Sequence, residues 1–77
     1  MYRPSLREQI VSAVRSSAEG EIQKARANVE VYLQSPVGIG EHPDVLGAIQ
    51  DQLDIIASNV ERLQVIDKHF DINETGF

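Results

Sequence analysis

The sequence predicts an all-α protein: an antiparallel two-helix hairpin, with helices at about 5–34 and 43–70, that dimerises into a four-helix bundle. Three observations predict it. Apolar residues recur at threes and fours on both sides of a single breaker cluster, Ser35-Pro36-Val37-Gly38-Ile39-Gly40-Glu41-His42-Pro43. The two apolar stripes agree in height when the chain is folded back about Ile39. Finally, a chain of 77 residues without cysteine has room for one small core and neither disulfide nor thiolate metal site to reinforce it.

The first helix opens on Ser5 and Glu8, the spacing of a capping box, in which hydroxyl and carboxylate each satisfy a free amide of the first turn. Its stripe is Val11, Val14, Ala18, Ile22, Ala25, Val29 and Tyr32. Gly20 interrupts it at a cost of about 1 kcal/mol relative to alanine. Close packing, a kink and simple tolerance are all consistent with that glycine. Ser16, Ser17, Ala18 and Gly20 together make a patch of small residues.

His42 or Gly40 is placed to cap the second helix, with Pro43 at the first helical position and Asp44 complementing the positive end of the helix dipole. Leu46, Ile49, Leu53, Ile56, Val60 and Leu63 follow a strict 3-4-3-4-3 spacing, which winds into one narrow stripe extended by Phe70. Lys68 and His69 suit the last turn, whereas Asp67 and Asp71 oppose the dipole there. Fraying after Phe70 and a loose tail over 71–77 are therefore expected.

Around a fold-back at Ile39, residues of equal height have numbers that sum to about 78. Tyr32 then meets Leu46, Val29 meets Ile49, Ala25 meets Leu53, Ile22 meets Ile56, Ala18 meets Val60 and Val14 meets Leu63. Large faces small at the two alanines. On this assignment Leu53→Ala should cost about 2–5 kcal/mol by opening a cavity, while Asp51→Ala should change little.

One seam between two helices recovers little of the ordering cost, about 1.5 kcal/mol per residue, so association is expected. Val31 and Ile55 are placed roughly opposite their own helix's seam, and Val65 and Ile66 widen the second apolar face. Val37 and Ile39 are expected to tuck over the end of the bundle. The contact residues assigned from sequence are Val31, Val37, Ile39, Ile55 and Val65. The expected partner is a second copy, a dimer before any larger assembly, with a host or phage protein as the alternative occupant.

Enzymatic readings find little support, and no catalytic, cofactor-binding or metal-binding residue is assigned. His42 and His69 fall at opposite ends of the hairpin, about 40 Å apart by helix rise. Gly38-Ile39-Gly40 lacks the third glycine and the preceding strand of a dinucleotide loop, and Glu41 and Asp44 would repel phosphate. Ser16, Ser17 and Ser58 have no histidine at their height. Asn73-Glu74-Thr75 matches a glycosylation sequon, but no apolar segment follows a basic start, so secretion is not expected. No apolar run exceeds three residues, so no membrane span is expected.

Net charge is −5, and it is unevenly divided. Residues 1–35 carry five basic and four acidic groups, and residues 36–77 carry two and eight. Nucleic-acid binding is disfavoured by this balance. The rival readings are an accessory factor using Arg3, Arg7, Arg15, Lys24 and Arg26 on nucleic acid, and a metal- or ligand-binding bundle in which His69 of two chains converges.

Residues 24–70, with Val31-Tyr32-Leu33, the turn from Ser35 to Asp44 and the closing Lys68-His69-Phe70, resemble short uncharacterised proteins of T4-like marine bacteriophages. The resemblance implies a phage origin and residence in the host cytoplasm or the virion. It brings no catalytic or ligand residues with it. The reading that results is a non-enzymatic protein–protein interaction or virion accessory protein, self-associating through helix faces.

Overall fold

The computed structural model describes residues 3–34 and 44–70. It is a hairpin of two helices, α1 (Leu6–Gln34) and α2 (Val45–His69), packed along their length, and no strand occurs among the described residues. Arg7 near the start of α1 donates to the Phe70 carbonyl at the end of α2, and Asn28 near the end of α1 donates to Gln52 in the first half of α2. The helices are therefore antiparallel. The turn from Ser35 to Pro43 and the tail 71–77 lie outside the described residues.

The start of α1 is the capping box read from the sequence. The Ser5 amide donates to Glu8 Oε1 at 2.8 Å, and the Glu8 amide donates to Ser5 Oγ at 3.1 Å. The start of α2 differs from expectation. Asp44 itself is the cap, its carboxylate accepting from the Gly47 amide at 3.2 Å, and helical structure begins at Val45. A carboxylate at the cap satisfies an orphan amide directly and carries its charge to the positive end of the dipole. At the other end, the Phe70 amide donates to the Ile66 carbonyl and closes the last turn.

α1 turns the predicted stripe inward. Ala18 and Ala25 are 2% and 1% exposed, with Val11, Ile22 and Val29 half-buried beside them, while Val14 and Tyr32 lie at the stripe's exposed margin. The small side chains on that line let the two backbones come close.

α2 does not do the same. Leu46 is 75% exposed, Leu53 49% and Val60 40%. The residues buried or half-buried are instead Val45, Ala48, Ile49, Gln52, Ile55, Ile56, Asn59, Leu63 and Ile66. At 100° per residue, the centre of that set lies about 70° around the helix from the predicted stripe. The pairings of Leu53 with Ala25 and of Val60 with Ala18 are corrected accordingly, and so is the placement of Ile55 opposite the seam.

The rotation has a physical cause. The apolar arc of α2, from Ile55 round to Leu46, spans about half the helix circumference, and a single neighbouring helix covers only part of it. Two polar links flank the part that is covered. Gln52 accepts from Asn28 at 3.0 Å, and Asp67 forms an ion pair with Arg15; between them they bracket the strip of Val45, Ile56 and Leu63. Asn59 can enter the seam because its side chain is satisfied within α2: Nδ2 donates to the Ile55 carbonyl at 2.8 Å, and Oδ1 accepts from Arg62 at 2.9 Å. The same links mark the register. Asn28 with Gln52 sums to 80 and Arg15 with Asp67 to 82, so each α1 residue meets an α2 residue two to four positions further along than a fold-back at Ile39 places it.

Gly20 faces open space, with no atom within 4 Å of a Cβ built on it, and its φ is not positive. Within the hairpin it is neither a close approach nor a strained position. Gly20→Ala is therefore expected to stabilise the protein by about 1 kcal/mol through helix propensity alone, measurable as a raised midpoint in urea unfolding. A loss of stability would instead mark Gly20 as a site of close approach in an assembly.

Candidate interaction surface

Because α2 is rotated, its regular stripe becomes a surface. Leu46, Leu53 and Val60 repeat at seven residues, as do Ile49, Ile56 and Leu63, so the two rows are the a and d positions of a coiled-coil heptad. The d row leans half-buried toward α1, and the a row stands out from it. Together they run about 26 Å along the helix. The residues flanking the stripe on its open side are Gln50, Ala57 and Gln64, none of them charged. Asp51, Asp54 and Glu61 lie further round the helix and are exposed.

This contrasts with the seam inside the hairpin. The line turned most squarely to α1 carries two polar side chains, Gln52 and Asn59, at its centre. One row of the apolar stripe of α2, Leu46, Leu53 and Val60, thus stands outside the intramolecular contact, while Ile49, Ile56 and Leu63 are half-buried beside a seam with two polar residues.

The contact residues assigned from sequence do not converge among the described residues. Val31 is 63% exposed on the outer side of α1, one turn from Asn28 and Gln34. Val65 is exposed with Glu61, Arg62, Lys68 and His69 around it. Ile55 is half-buried on the α1 side, and Val37 and Ile39 lie outside the described residues. Single exposed valines are ordinary surface. The residues that do form a continuous surface are Leu46, Leu53 and Val60, which the sequence reading placed in the core. Their seven-residue spacing is shared by Ile49, Ile56 and Leu63, so spacing alone does not separate the exposed row from the half-buried one.

Charged groups are arranged differently from a phosphate-binding face. Arg7, Arg15, Lys24 and Arg26 point in directions spread over more than half the circumference of α1. Arg15 is engaged with Asp67, and Lys24 lies 3.5 Å from Glu21. Among the described residues no three histidine or acidic side chains gather as metal ligands. His69 is exposed, with its ring 6.2 Å from that of Phe70, and His42 lies outside the described residues. No helix among the described residues is long and apolar enough to cross a membrane.

Compared with protein-family models, curated proteins and solved structures, the chain matches none of them.

Proposed function

We propose that this chain is a non-enzymatic protein–protein interaction module that self-associates through helix faces, two hairpins completing one four-helix bundle. The observation that carries the reading is the exposed heptad stripe of α2. Among the described residues only Ala18, Ala25 and Ile66 are buried hydrophobics, while Leu46, Leu53 and Val60 are 75%, 49% and 40% exposed. A chain of this size gains most by burying such a stripe against another helix. Asp51, Asp54 and Glu61 would remain outside and keep the assembly acidic. The resemblance of residues 24–70 to phage proteins supports a place in an infected bacterium, as a virion accessory part or an intracellular effector.

Sedimentation equilibrium tests the reading. The expected result is a mass that rises toward twice 8.6 kDa as concentration increases through the micromolar range. Added salt should favour the larger species, because each chain carries a net −5 and screening weakens the repulsion between copies. A monomer mass at every concentration would overturn it.

A further inference from the structure

We infer that the stripe Leu46, Ile49, Leu53, Ile56, Val60 and Leu63 is covered by the same stripe of a second copy, running antiparallel about a two-fold axis midway between residues 54 and 55. The inference rests on the self-association proposed above and specifies its surface and geometry.

Self-complementarity supports the occupant. Reversed about that point, Leu46 lies opposite Leu63, Ile49 opposite Val60 and Leu53 opposite Ile56, so every a residue meets a d residue and all six are used. A two-fold interface requires just this property, the same patch serving on both sides. Charge supports it as well. The protein is acidic, yet the open flank of the stripe holds only Gln50, Ala57 and Gln64. A second copy therefore meets no like charge along the flank, and a basic partner would find no carboxylate there to pair with.

The direction follows from the next a position, which is Asp67. A parallel arrangement in register would set the Asp67–Arg15 ion pair against its own copy, crowding two identical pairs at one end of the interface. The antiparallel arrangement carries Asp67 past the end of the opposing stripe, and it also opposes the two α2 dipoles favourably. The residues assigned from sequence on the outer faces, Val31 and Val65, lie outside this contact.

The test combines two substitutions with two labelling sites. Leu53→Asp places a charge at the middle of the stripe and is expected to weaken dimerisation by about a hundredfold or more, with the helical circular dichroism signal kept because Leu53 is half outside the hairpin's own seam. Val31→Asp is expected to dimerise as the unaltered protein does. The chain has no cysteine, so Ser58→Cys and Lys68→Cys each give one spin-label site, both on exposed positions. Antiparallel copies separate these labels along the axis by about 10 Å at position 58 and about 40 Å at position 68.

Equal inter-copy distances at 58 and 68 would overturn the antiparallel geometry. A Leu53→Asp protein that dimerises undiminished, or a Val31→Asp protein that falls apart, would overturn the surface while leaving self-association intact. If Leu53→Asp unfolds the chain, the label distances in otherwise unaltered protein decide. Failure of the unaltered protein to associate at all removes the broader reading along with this one.

Discussion

Ile66→Ala is expected to destabilise the hairpin by about 2–5 kcal/mol, a lowering of the thermal midpoint by roughly 10 °C or more for a domain of this size. Ile66 is 7% exposed near the end of α2 and is, among the described residues, the one large aliphatic side chain that is buried. Truncating it removes buried apolar surface and leaves a cavity that the neighbouring backbone can only partly close. Leu53→Ala, measured in dilute solution where the chain is monomeric, should cost less than half as much. Half of that side chain already faces solvent, so less transfer free energy is at stake. Under the proposed self-association the gap should narrow at high concentration, because Leu53 would gain a partner and stability would become linked to association. A dilute monomer more sensitive at Leu53 than at Ile66 would return the predicted stripe to the core.

Ala25→Leu tests the opposite limit. At 1% exposure, Ala25 sits where the two helices leave no room for a larger side chain. Adding three carbons must push the backbones apart or force strained rotamers, at a cost of about 1–3 kcal/mol. The matched change on the outer side, Ala27→Leu, should lie within about 0.5 kcal/mol of the starting protein, since Ala27 is exposed. Urea unfolding of both variants gives the comparison. Equal, small effects would mean that α1 and α2 are not in close contact at that height.

These two expectations show where the sequence was readable. The line through Ala18 and Ala25 could be drawn from spacing alone because its threes and fours run unbroken from Val11 to Tyr32, whereas Leu6, Ile10 and Val31, which stay exposed, fall off it. The capping box at Ser5 and Glu8 was equally legible, since both partners lie within one turn. α2 was harder. Its apolar arc is wide enough for two neighbours, and hydrophobic spacing ranks the more regular half first. The half that faces inward carries groups that a hydrophobic pattern leaves out: Gln52 bonded to Asn28, Asp67 paired with Arg15, and Asn59 satisfied by its own helix. The exposure of the row Leu46, Leu53 and Val60 was missed for the same reason. Leu46, Leu53 and Val60 have the same spacing whether they meet their own α1 or a second chain.

The amino-acid order by itself determined that this protein holds two helices, where α1 starts and which side of α1 is buried. Each of these depends on residues within a turn or two of one another, or on an unbroken periodicity. Only the tertiary structure decided the rotation and register of α2, and with them which apolar residues remain open to a partner. Those depend on side chains more than twenty residues apart along the chain, Asn28 with Gln52 and Arg15 with Asp67, whose meeting local spacing does not encode.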